Sequence, residues 1–171
     1  PSGKNQLVSW RLLIAVSFLT GAASFIYEIG WIRMLNLVLG TSTHAFELML
    51  SAFIAGLAFG GLWIRNRIDH LEHPTRFLGW VQVAMGLLAL GTLILYNISF
   101  DMMRELMRSV TTTDGGYFLF NLGSHTIAAL IMVPVTFCAG MTLPLITHML
   151  LRSGYGEKSI GAVYAANTAG A

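Results

Sequence analysis

Apolar residues in this chain come in long uninterrupted blocks rather than in the short alternations of a soluble fold. A helix rises 1.5 Å per residue, so crossing a hydrocarbon core of about 30 Å takes about 20 residues. Four blocks meet that length, and the pattern predicts spans over about residues 10–38, 45–64, 77–98 and 117–151. The first is interrupted by Arg11, Glu28 and Arg33 alone, and a polar turn, Gly40 to Thr43, ends it. The second runs into RNRIDHLEHPTR, the most charged segment of the chain. Over about 101–114, Met102, Leu106 and Val110 share one helical face beside Arg104, Glu105 and Arg108, which predicts an amphipathic helix at the membrane interface. The fourth block lacks Asp, Glu, Lys and Arg but holds Pro134 and Pro144, so one long helix kinked at both prolines is expected. Residues 159–171 read as the start of a fifth span. The pattern therefore predicts an all-α integral membrane protein, a bundle of four transmembrane helices plus the start of a fifth, in a single helical membrane domain over 1–171.

Composition agrees with the pattern. Of 171 residues, 55% are hydrophobic and 11% charged, against about 25% charged in a soluble domain. Mean hydropathy is +0.68. The formal charge of +2 is small and its Lys and Arg dispersed, which gives nucleic acid no basic surface to bind. A single cysteine, Cys138, cannot form an internal disulfide and reads as a small buried hydrophobe. The chain opens on Pro-Ser-Gly-Lys and stops within YAANTAGA, and it is expected to be part of a longer polypeptide, or a processed or partly observed one.

The basic residues set an orientation. Lys4 and Arg11 flank the first span, Arg65, Arg67 and Arg76 follow the second, and Arg152 and Lys158 follow the fourth. Four spans place all three sets on one side, and the excess of Lys and Arg there predicts a cytoplasmic N-terminus. Trp10, Trp31, Trp63 and Trp80 are expected at the interfaces.

Charge inside the spans is the chemistry that needs explaining, because it is costly in hydrocarbon. Glu28 and Arg33 diverge by about 140° around one helix and are poor partners for each other. If the chain reverses near Gly40, Arg33 comes level with Glu47, and an Arg33–Glu47 ion pair is expected across the hairpin. Glu28 comes level with Phe53 and Gly56, where no basic side chain is available. Two readings of it stand: a neutral, hydrogen-bonded carboxyl, or a proton- or cation-handling site shared with Glu47 or with polar groups such as His125, Asn121 or Gln82. His125 and His148 have no paired ligand at helical spacing, so no metal site is expected.

Ala52, Gly56 and Gly60 repeat every four residues and make a flat stripe for close helix packing, and Gly21 to Ser24 make a matching patch on the first span. Packing within the chain is the first reading of these stripes and homodimerisation the second. Motifs for other chemistries are missing: no Walker loop, CxxC, GxSxG or HExxH occurs, and GLAFGG lies within a span rather than between a strand and a helix.

Several segments together carry a resemblance. GAASFIYEIGWIRMLNLVLGTSTHAFELMLSAFIAGLAFGGLW, CAGMTLPL and IGAVYAANTAGA resemble, in order, the first hairpin, the fourth span and the opening of the fifth span of the multi-spanning spermidine synthase-like proteins of bacteria. The marks are Gly21 to Ser24, Tyr27-Glu28, Trp31 to Arg33 and Gly40 to Thr43; Gly140-Met141 are transposed relative to the family pattern. The resemblance implies a major-facilitator-like half in the bacterial inner membrane, fused in that family to a C-terminal aminopropyltransferase domain. No residue here supplies the glycine-rich α/β domain of such an enzyme. The expectation is therefore a non-catalytic membrane module without a cofactor. It would anchor, or pass a small cationic substrate (a polyamine, by the family's name) to, a C-terminal domain or another membrane subunit. The alternative is a structural accessory subunit of a larger membrane complex. An intramembrane enzyme built on His125 or His148 lacks a paired catalytic group.

Overall fold

Backbone groups in a bilayer must satisfy one another, and the apolar blocks do so as helices. The computed structural model describes residues 10–39, 43–109 and 114–171. Among them the chain forms α1 (Trp10–Leu39), α2 (Thr43–Arg65), a single 3-10 turn (Ile68–His70), α3 (Pro74–Ser109), α4 (Asp114–Arg152) and α5 (Lys158–Gly170). Helices α1 to α4 are each long and apolar enough to cross a membrane. The reversal expected over Gly40 to Thr43 lies, apart from Thr43, outside the described residues.

One expectation about the elements is corrected. The segment expected as a separate interfacial helix over 101–114 continues α3 without a break through Ser109. Nothing after Ile98 stops a helix, and Arg104–Asp101 (2.8 Å) and Arg108–Glu105 (2.9 Å) pair three residues apart along it. Its apolar side faces protein: Met103 is buried, and Leu106 lies against Gly123 of α4, while Met102 points outward. At 36 residues α3 is about 54 Å long, so its last turns lie beyond the apolar span.

Helix α4 is the hub, touching α1, α2, α3 and α5. It remains one helix through Pro134 and Pro144. Each proline leaves a carbonyl, of Leu130 and Gly140, without its donor four residues on. The Gly140 carbonyl oxygen faces Gly61 of α2, whose missing side chain leaves room for it.

The small-residue stripes pack within the chain, but not against each other. On α2, a Cβ at Gly56 would collide with Thr136 and one at Gly60 with the Phe137 carbonyl, while one at Gly140 of α4 would strike the Leu57 carbonyl. Gly21 of α1 instead meets α5, where a Cβ would strike the Asn167 carbonyl; Gly170 returns the contact against Phe18. Ser17 Oγ donates to the Val163 carbonyl at 2.8 Å in the same interface. Helices α1 and α5 thus run parallel, as do α2 and α4, whereas α3 and α4 are antiparallel, joined by Gln82 Nε2 donating to Thr142 Oγ1 at 2.9 Å.

This arrangement gathers the start of α1, the α2–α3 connection and the α4–α5 connection at one end. Trp10 packs on Tyr155 (5.3 Å between ring centroids) and the Thr75 hydroxyl reaches the Met149 sulfur at 3.6 Å. The Arg67 guanidinium lies 4.1 Å over the Trp63 ring, which also touches Phe77 and Phe137. Trp80 is on the outer surface, but Trp31, expected at an interface, is buried and donates Nε1 to Thr92 Oγ1 at 3.4 Å.

Candidate functional site

Rotation along α1 divides its inner side in two. Tyr27 and Trp31 stack on each other (5.5 Å) and turn toward α3, lining a nearly apolar cavity of about 280 Å³ with Gly86 and Ala89. One residue on, at about 100° around the helix, Glu28 turns the other way. With Thr20, Gly21 and Ser24 it faces α2, α4 and α5.

There Glu28 lines a cavity of about 220 Å³. Its polar wall consists of Thr20, Ser24 and Glu28 from α1 and Asn167 from α5. Phe25, Phe53 and Leu57, with Ala139 and Leu143 of α4, are apolar, and Ala171 borders the cavity after α5. Glu28 lies 18 residues past Trp10, about 27 Å along the helix, within the apolar segment Trp10–Val38. Ser24 and Glu28 share one helical face by their spacing of four. Asn167 reaches the cavity because Gly21 lets α5 approach: a methyl at Gly21 would lie 3.1 Å from Asn167 Oδ1.

The hydrogen bonding within this wall is uneven. Thr20 spends its hydroxyl on the Val16 carbonyl, 2.8 Å away within α1. The side chains of Ser24, Glu28 and Asn167 make no hydrogen bond or ion pair among the described residues. Ser24, Glu28 and Asn167 therefore line one small space in an otherwise largely apolar setting. An ionisable side chain within a membrane bundle is costly unless it is paired or faces water.

The other expected site residues lie elsewhere. The Arg33–Glu47 ion pair does not form: both side chains are on the outer surface, since α1 is drawn to α5 and α4 rather than laid along α2. Glu47 is six residues before Phe53 and does not line the Glu28 cavity. His125 is exposed, its Nδ1 2.7 Å from the Asn121 carbonyl, and 14 residues, about 21 Å, before Ala139 on α4. Gln82 is taken by Thr142. Glu28, Glu47 and His125 are thus not one site; the level of Glu28 with Phe53 does hold.

Sequence reasoning missed Ser24 and Asn167. The spacing of Ser24 from Glu28 was a usable signal. Asn167 had none, because nothing local shows that α5 lies parallel to α1.

Elsewhere, His148 stands 3.9 Å from Asp69 in a groove of about 650 Å³ between α2 and α4 that Arg65 also borders. Cys138 is buried and free. Among the described residues no three His, Cys, Asp or Glu side chains come close enough to hold a metal ion. No protein-family model, curated protein or solved structure matches the chain.

Proposed function

We propose that this chain is a non-catalytic helical membrane module that passes a small cation through the Glu28 cavity, toward a domain or subunit that uses it. The observation that carries the reading is the Glu28 side chain, without a partner among the described residues, lining a cavity within the apolar length of α1. Ionisable groups inside a membrane bundle mark substrate and ion pathways, since they are kept there against a high cost. The resemblance to the membrane part of the spermidine synthase-like proteins supports the same class. With it come a major-facilitator-like half, a place in the bacterial inner membrane and a polyamine as cargo. The gathering of Arg11, Arg65, Arg67, Arg76, Arg152 and Lys158 at one end supports a cytoplasmic N-terminus.

A structural accessory subunit would use small-residue stripes to dock neighbouring helices, with its tryptophans setting depth. The stripes are already taken, because α2 spends its stripe on α4 and α1 spends Gly21 on α5.

The test is transport by purified full-length protein in liposomes on a solid-supported membrane, with alkali cations, small amines and diamines added in turn. At least one cation is expected to give a saturable current, reduced about tenfold or more by Glu28→Gln, as for loss of a charged binding partner. Currents equal in wild type and Glu28→Gln, or none with any cation, would overturn the reading.

A further inference from the structure

Away from the Glu28 cavity, the α2–α4 groove of about 650 Å³ joins an apolar length to a cationic end. It extends from Leu57 to Arg65 on α2 and from Pro144 to Leu151 on α4, about 12 Å along the parallel pair. The apolar segments of both helices end at this level, at Arg65 and Arg152. The groove therefore reaches inward from the edge of the spans by nearly the ~15 Å of one leaflet, half of a hydrocarbon core. Its sides are apolar and open outward: Leu62 is 56% and Leu151 42% exposed, and Ala58 and Gly61 add little bulk between turns of α2.

At the outer end, Arg65 borders the groove with no hydrogen bond or ion pair among the described residues, and no described Asp or Glu lines it. Asp69 of the α2–α3 connection stands 3.9 Å from His148 Nδ1 and does not pair with Arg65. The six Lys and Arg gathered at this end outnumber Asp69, Glu72 and Glu157 two to one.

An unpaired guanidinium matches the two oxygens of a phosphate, and an apolar groove of one leaflet's depth beneath it matches an acyl chain. Basic sites between transmembrane helices at the bilayer surface take anionic headgroups for this reason. A second copy suits the surface less. A two-fold contact would set the same cationic excess against itself and would bring no acid from the groove to Arg65.

We infer that the α2–α4 groove binds an anionic phospholipid, with the phosphate on Arg65 and one acyl chain lying past Leu62 and Gly61 toward Leu57.

Native mass spectrometry of the purified full-length protein tests it, with dioleoyl phosphatidylglycerol or dioleoyl phosphatidylcholine titrated into the detergent. One phosphatidylglycerol per chain is expected to be retained about tenfold more tightly than phosphatidylcholine, the size of a hydrogen bond to a charged group. Arg65→Gln is expected to remove that preference. Arg104→Gln, at the far end of α3, is expected to keep it. Ala58→Trp fills the groove from an exposed position on α2 and is expected to release both lipids. Equal retention of the two lipids by the wild type overturns the assignment, as does a preference that survives Arg65→Gln or a lipid held undiminished by Ala58→Trp. A dimer that Ala58→Trp dissociates overturns it too, and makes a second copy the occupant.

Discussion

Single residues here act through what their position lets them meet. Glu28 and Arg33 are both ionisable groups within one apolar run, yet the structure turns Glu28 into a cavity and Arg33 to the outer surface. Their fates differ because five residues rotate the helix by about 140°. Without an Arg33–Glu47 contact, charge reversal at the two positions should be independent. Arg33→Glu and Glu47→Arg are expected to change stability additively within about 0.5 kcal/mol. The double mutant cycle can be read in detergent by the rate at which the buried Cys138 thiol becomes reactive on heating. A rescue of one reversal by the other would restore the hairpin pairing.

At the scale of elements, close approach rather than apolar area decides the packing, since lipid tails are as apolar as the helices and burial gives no driving force between them. Glycines therefore differ sharply by place. Gly60 lies against a backbone carbonyl of α4 that cannot swing aside, whereas a Cβ at Gly79 meets nothing within 4 Å. Gly60→Ala is expected to destabilise by about 1–3 kcal/mol, and Gly79→Ala to be neutral or slightly stabilising through helix propensity; thermal unfolding followed at Cys138 separates the two. The charged end of α3 teaches a related lesson. Its amphipathic pattern was legible, but the pattern cannot distinguish a face laid on lipid from one laid on a neighbouring helix, and Gly123 of α4 supplies the seat that Leu106 takes.

For the whole molecule, the consequential feature is which helices are neighbours. The parallel α1–α5 pair forms the polar wall of the cavity, and it places Ser17 beside Val163, 146 positions away. With Cys138 replaced by alanine, cysteines at Ser17 and Val163 are expected to cross-link within one chain under mild oxidation; their failure to do so would contradict the pairing and with it the assembly of Asn167 onto Glu28. The four spanning helices and the place of Glu28 within the first were determined by the sequence alone. Each follows from a local rule: a bilayer forces every backbone group to be satisfied within its own helix, so length and hydropathy suffice. The stripe Ala52, Gly56, Gly60 likewise announced a close contact. It could not name α4 as the partner, nor send Gly21 to α5, because small residues at a four-residue spacing fit any helix that offers a similar surface. Only the tertiary structure decided that choice, and so it alone brought Ser24, Glu28 and Asn167 to one cavity from two ends of the chain.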